Sequence, residues 1–413
     1  MLTRRPSPLL AGPDGRALLA SSILARLPLA MLSIAILVHV QRLTSSFAIA
    51  GVACSAYAIC GALASPMLGR LVDRRGQTRV LLAGATVTAL ALIALGVMPA
   101  TTPPALLVAL AGAGGLASPP LEACVRTLLP DIVSRPSELP ALFALESTLL
   151  EMTFVVGPPL ALGLGAVWST GAALVVGGLI MIVGTVAFAS HRVSRSWRPY
   201  IGAARSPAGS LRAAAIRVLV AIDLGTGVVF GATEVGVTAS AKHLAGSAAA
   251  APLLGLWGVG SLIGGVVITR LGGRLSGSRH LPLLLGALAV THGALLAGTG
   301  SLPLMAAIIL LAGSTIAPTA ASIYALVDRH APAGTHTEAF SWLSTSSCTG
   351  AAAGAAVAGV LAQGAGPVAV FAFGGVAGVL ATMVAIVGAR DLARPTPQGP
   401  SPAPRVVHQL GSA

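Results

Sequence analysis

The sequence predicts an all-α membrane protein of twelve transmembrane helices, arranged as two pseudo-symmetric six-helix bundles. Three observations carry that fold class: too few charges to cover a water-exposed surface, basic residues gathered into every second loop, and a weak repeat that aligns the two halves of the chain.

Composition comes first. The 413 residues are 55% hydrophobic and 9% charged, with a mean hydropathy of +0.88, whereas a soluble domain carries about 25% charged residues. Lipid must therefore be the solvent for most of the chain. Cys54, Cys60, Cys124 and Cys348 all fall in apolar segments without CxxC or Cys/His spacing, so they read as small buried hydrophobes. No metal and no cofactor is expected. The start MLTRRPSPLLAGPDGR runs into a long apolar stretch without a small-residue cleavage site, which reads as an uncleaved first helix.

A helix needs about 20 apolar residues to cross the bilayer core. In chain order the spans fall at 17–38, 46–68, 79–99, 104–126, 141–165, 170–190, 216–239, 248–270, 281–299, 302–327, 337–362 and 366–389. With both termini cytoplasmic, the internal segments hold 22 of the 25 basic residues, the external loops hold Arg42 and Lys242, and Arg26 lies inside span 1. That asymmetry is the positive-inside rule, and it orients an even number of spans in the inner membrane of the cell. It also explains the formal charge of +13 without nucleic acid as a partner. The polar segment 191–214 reads as a cytoplasmic linker between bundles at 1–190 and 215–390, with 391–413 as a disordered cytoplasmic tail.

The repeat is seen at an offset of 197 residues, where Asp131 meets Asp328, Phe143 meets Phe340, Ser147 and Thr148 meet Ser344 and Thr345, and Gly157 meets Gly354. Near an offset of 200, Arg70 and Leu71 meet Arg270 and Leu271. Their clustering at the same loop-to-helix junctions points to parallel halves related by an axis along the membrane normal.

After span 2 comes a short charged turn with Gly69, Arg70, Asp73, Arg74 and Gly76. Here the chain resembles the major facilitator superfamily, whose loop between helices 2 and 3 reads G-x-x-x-D-R/K-x-G-R/K-R/K. Gly69, Asp73, Arg74 and Gly76 match; Gln77 and Thr78 depart, with Arg79 one place late. The glycines allow close approach and a tight reversal. The resemblance implies an inner gate in which Asp73 pairs with basic groups such as Arg126; simple positive-inside charge is the other reading. The matching loop Arg270 to Arg274 lacks the acid, which argues against a second latch. In span 5, Gly157, Pro158 and Gly163 resemble the glycine-proline signature of the drug:proton antiporter branch, and packing alone would also account for them.

Arg26, Glu122, Glu146, Glu151, Asp223 and Glu234 are ionisable residues inside apolar spans. Each costs about 2.5–3.5 kcal/mol at a helix centre, so each needs a partner or an aqueous cavity. Arg26 and Asp223 are separated by the repeat offset, which suggests an ion pair across a central cavity; snorkelling to the interface is the alternative. Glu122 and Arg126 are spaced i to i+4 on one face, as an interfacial salt bridge or a coupling pair. Glu151 lies about 15 Å into span 5, where loss of water favours the protonated form of a carboxylate, so it is the first candidate proton carrier and Asp223 the second. Glu234 reads as an entrance or surface group and His292 as a peripheral one. Pro119, Pro120 and Pro318 read as hinges or tolerated kinks, and Tyr324, Trp342, Phe143, Phe340 and Tyr57 as cavity aromatics, with packing the alternative for most of them.

The functional expectation is a monomeric secondary transporter that exports small organic or drug-like molecules in exchange for protons by alternating access. A nutrient or sugar uniporter or symporter on the same fold is the alternative, disfavoured by the near absence of Asn and Gln from the spans. No HExxH, GxSxG or nucleotide-binding loop is present, which speaks against an enzyme.

Overall fold

A computed structural model describes residues 12–133, 135, 138–199, 209–246, 249–271 and 277–394. All twelve expected spans are helices long and apolar enough to cross a membrane. In the first half they are span 1 (Gly15–Thr44), span 2 (Phe47–Arg75), span 3 (Gln77–Val97), span 4 (Pro104–Ile132), span 5 (Leu139–Val167) and span 6 (Thr170–Ser190). The second half holds span 7 (Ala214–Ala245), span 8 (Ala250–Arg270), span 9 (Leu281–Gly300), span 10 (Leu302–His330), span 11 (His336–Gly364) and span 12 (Gly366–Val387). Large apolar side chains such as Phe47, Met67, Val290 and Val387 stay exposed on the outside of the bundle, the arrangement that lipid rather than water permits.

Local sequence sets the helix ends. Ser46 and Ser169 cap spans 2 and 6 by accepting from the amides of Ile49 (3.3 Å) and Ala172 (3.0 Å). Between spans 2 and 3 the chain reverses at Gly76, whose φ of 93° needs a residue without a Cβ.

Spans 4 and 10 are both interrupted. Span 4 is built from Pro104–Ala117 and Leu121–Ile132, and span 10 from Leu302–Gly313 and Ile316–His330. In span 4 the break coincides with Pro119 and Pro120, which supply no amide hydrogen. Pro318 instead lies in the first turn of the second segment of span 10, where its missing N–H leaves no bond unmade. The breaks at Ser118 and Thr315 fall at the repeat offset, so the two halves share an irregularity as well as a helix count.

Packing repeats too. A Cβ on Gly157 of span 5 would stand 2.7 Å from Ala30 Cβ of span 1, and one on Gly354 of span 11 would stand 2.8 Å from Val228 Cα of span 7. In each half the same glycine lets the same pair of helices touch through their backbones. No such role falls to Gly163, where a Cβ would meet nothing within 4 Å. Between the halves, span 5 packs on spans 8 and 10, and span 11 packs on spans 2 and 4, as a two-fold axis requires.

Described residues outside the spans also form helical turns. In the linker, Arg192–Ser196 is a short helix and Gly209–Arg212 a 3-10 turn, and Val193, Trp197 and Leu211 pack against the core. Of the expected disordered tail, Asp391–Ala393 is instead helical within Ala389–Ala393, held down by the buried Leu392. Residues 395–413 and 200–208 lie outside the described residues.

Candidate functional site

Twelve alternating spans put the start of span 1 and the end of span 12 on one face of the bundle, and that face is closed. Asp73, at the end of span 2, accepts from the backbone amides of Thr337 (3.1 Å) and Glu338 (2.8 Å) in the first turn of span 11. Span 11 has no side-chain cap of its own. Asp73 thus serves as the capping carboxylate of a helix in the other half, satisfying open donors at the positive end of its dipole. Glu338 in turn receives both Nε (3.1 Å) and an NH2 nitrogen (2.8 Å) of Arg70 in a forked pair, together with the amide of Ser210 from the linker (3.2 Å). Gly69 lies where any Cβ would collide with Ser341, so glycine is what lets spans 2 and 11 close to this distance.

Above this latch the two halves meet through three rings. Phe143 and Phe340 are fully buried with centroids 6.0 Å apart, and Tyr324 lies 5.9 Å from the first and 6.3 Å from the second. The Arg126 guanidinium stacks 4.0 Å over the Tyr324 ring, a contact strengthened by loss of water.

Arg126 also anchors a buried charge network. Its Nε donates to Glu146 (3.1 Å) and its guanidinium faces Glu122 at 3.6 Å, while Glu146 takes a second ion pair from Arg26. Arg26 donates further to the Ser22 carbonyl and hydroxyl, both at 3.2 Å, and Ser344 of span 11 donates to Glu122 at 3.0 Å. Two guanidinium groups are thus balanced by two carboxylates, the pairing that makes buried charge tolerable.

Beside the network, on the side away from the latch, a cavity of about 670 Å³ runs from Asp223 and Tyr324 toward Glu234 and Ala251. Its wall comes from spans 7, 8, 10 and 11, closed on one side by Ser147, Leu150 and Glu151 of span 5, so both halves contribute. Asp223 accepts from Ser346 at 3.3 Å. Glu151 accepts from Ser261 of span 8 at 2.7 Å through one oxygen, and its other oxygen is buried without a partner among the described residues.

The profile described as Major Facilitator Superfamily matches residues 18–291 and 232–411, which together cover most of the chain in two overlapping pieces. The chain belongs to the major facilitator superfamily. Solved structures with the same fold include a bacterial homologue of the iron transporter ferroportin in its outward-facing state, 18% identical, with a TM-score of 0.71, covering 90% of this chain and 98% of that one. The human organic anion transporter TETRAN is 16% identical, with a TM-score of 0.70, covering 91% and 100%. No curated protein matches this chain.

Within this facilitator the residues singled out in the sequence take up different places. Glu151, Asp223 and Tyr324 line the cavity, whereas Arg26 is fully enclosed and Glu122 belongs to the network beside it. The ion pair expected between Arg26 and Asp223 is replaced by Arg26 with Glu146. Asp73 does not reach Arg126, because Arg126 lies about 9 Å inside the end of span 4 while Asp73 sits at the helix terminus. Arg74 is exposed. Gln77, the departure from the family motif, is buried, donates to the Cys124 carbonyl (3.5 Å) and accepts from Ser194 (3.3 Å), tying spans 3 and 4 to the linker. The end of the Arg270 to Arg274 loop lies outside the described residues.

Sequence reasoning missed Phe230, Trp257 and Ser261. Trp257 packs edge-on to Phe230 (5.5 Å, 76°), and its indole N–H donates to Nε2 of His292 at 3.2 Å. The available signal was the glycine run of span 8: Gly255 and Gly258 line the cavity, and a Cβ on either would meet nothing within 4 Å, so this helix face is thinned to leave room.

Proposed function

We propose that this facilitator is a proton-coupled secondary transporter that exports small organic molecules by rocking its two bundles about the central cavity. It sits in the cell membrane as a monomer with both termini cytoplasmic, so the latched face is the inner one and the cavity faces outward. The observation that carries the reading is Glu151: a carboxylate between the two halves, at the wall of a cavity large enough for a drug-sized molecule, with one hydroxyl partner and a second oxygen left over. Such a group is held stably only by a proton or a bound cation, which is what coupling cargo to protons requires.

The cargoes of the structural neighbours do not fit this wall equally. Among the described residues no three His, Cys, Asp or Glu converge as a metal would need. Among the described residues lining the cavity there is no Arg, Lys or His to neutralise an organic anion. There is no Asn or Gln among them either, which weakens the sugar-transporter alternative. Gly157 supports the antiporter reading only through close packing of spans 1 and 5.

The test is a panel of compounds whose accumulation is measured in cells with and without the protein, before and after an uncoupler. The account expects lower accumulation in expressing cells, abolished by the uncoupler and by Glu151→Gln. Extrusion that survives both treatments would remove proton coupling from the account.

A further inference from the structure

We propose that the cavity is built for a monovalent organic cation with a bulky apolar body. This rests on reading the cavity as the cargo site and adds the charge class of the cargo. Among the described residues three carboxylates face the space, Glu151, Asp223 and Glu234, and no basic side chain does. The two intramembrane guanidinium groups nearby are already committed to Glu146 and Glu122. Arg126 and Glu122 lie on the network side of Asp223, and among the described residues no basic side chain lines the cavity beside Glu151 or Glu234. The cavity therefore carries an uncompensated negative charge whenever these acids are ionised, and a cation entering it removes a cost rather than adding one.

The spacing supplies a path. Asp223 and Glu234 are eleven residues apart on span 7, which is about 16 Å of rise and just over three whole turns, so both project from the same helix face into the cavity. Glu151 stands opposite on span 5.

The rest of the wall suits a cation with an apolar envelope. Phe230, Trp257 and Tyr324 line it, and ring faces attract cations most strongly where water is excluded. His292 does not upset this balance. Its Nε2 accepts from the indole, so the proton sits on Nδ1, 2.9 Å from the Leu288 carbonyl, and the ring is neutral with both nitrogens engaged. Cargo and protons then compete for the same carboxylates, and acidification displaces cargo.

Tetraphenylphosphonium and tetraphenylborate share one shape and carry opposite charge, so they isolate the claim. Equilibrium binding of each to the purified protein in nanodiscs is measured against empty nanodiscs at alkaline and mildly acidic pH. The expected result is saturable phosphonium binding that weakens on acidification and falls about tenfold or more in Glu151→Gln, with no borate binding. Asp223→Asn provides a second neutralised site, and thermal unfolding establishes that each variant is folded. Borate binding equal to or tighter than phosphonium overturns the inference, as does phosphonium binding indifferent to both substitutions, or no binding of either probe. Phosphonium that binds but shows no proton-driven movement in proteoliposomes upholds the cation site and sinks the transporter reading. Proton-driven movement of borate does the reverse.

Discussion

Phe143 and Phe340 occupy equivalent places in the two halves, and their rings meet 6.0 Å apart between centroids, tilted by 44°. A residue that touches its own repeat mate lies on the axis relating the halves. Asp131 and Asp328, a second pair of mates, are likewise close enough to act on each other's charge. The phenyl pair therefore lies on that axis, between the latch and the cavity, where it plugs the space between the halves.

Phe340→Ala removes the aromatic contact with Phe143 and Tyr324 and leaves a cavity, a change that costs about 3–5 kcal/mol in a well-packed core. Thinning the plug exposes the cavity from the latched side. In a cysteine-free background, a cysteine at Ser347 should become reactive toward an impermeant reagent added to that side, and unchanged reactivity would show that the rings are not the barrier.

The latch divides unequally between its two acids. Arg70 is 34% exposed, so its pair with Glu338 is partly screened and contributes about 1 kcal/mol or less. Asp73 is buried on two backbone amides and contributes about 1–2 kcal/mol as a cap. Asp73→Ala should therefore shift the closed-to-open ratio about tenfold, and Glu338→Gln by less. Fluorescence distances between spans 2 and 11 at the latched face report the shift; the opposite ranking would contradict the capping role.

Glu146 balances two guanidinium groups at once. Glu146→Gln leaves both short of charge and is expected to destabilise the protein by about 3–5 kcal/mol, read as a fall in unfolding temperature in detergent. Adding Arg26→Gln should recover part of that loss, because the two sites are coupled. Additive losses would place Arg26 outside the network.

His292→Leu leaves the Trp257 indole N–H without its acceptor, at a cost of about 1–3 kcal/mol. The outcome to look for is a shifted, broadened Trp257 emission with weaker cargo binding, and restoration by His292→Gln, whose amide oxygen can accept the same bond. Emission unaltered by the leucine would mean that the indole is held by packing alone.

Helix number, repeat offset and the two glycines of the span 2 turn were legible because they depend on local chemistry: apolar length, charge in short loops, and backbone positions that exclude a Cβ. The breaks in spans 4 and 10 were half legible, since prolines explain Ser118 to Pro120 while the break at Ser314 and Thr315 falls before Pro318. The partner of Arg26 was not legible. Its offset from Asp223 makes the two repeat mates, and mates face each other only on the axis, where Phe143 and Phe340 already stand. Off the axis, depth and helix rotation choose among several carboxylates, and span 5 presents Glu146 to Arg26. Trp257 was hidden for the same reason: periodicity says little about which face of an all-apolar helix turns inward.

Alternating access by rocking of the two halves is the claim on which the account rests, and paired spin-label distances test it most directly. Labels at Arg74 and His336 report the latched face, and labels at Phe47 and Val360 report the opposite ends of the same two helices. On lowering the pH in the absence of cargo, the first distance should lengthen as the second shortens, with equal midpoints. A change at one face without the other would contradict a rocking mechanism.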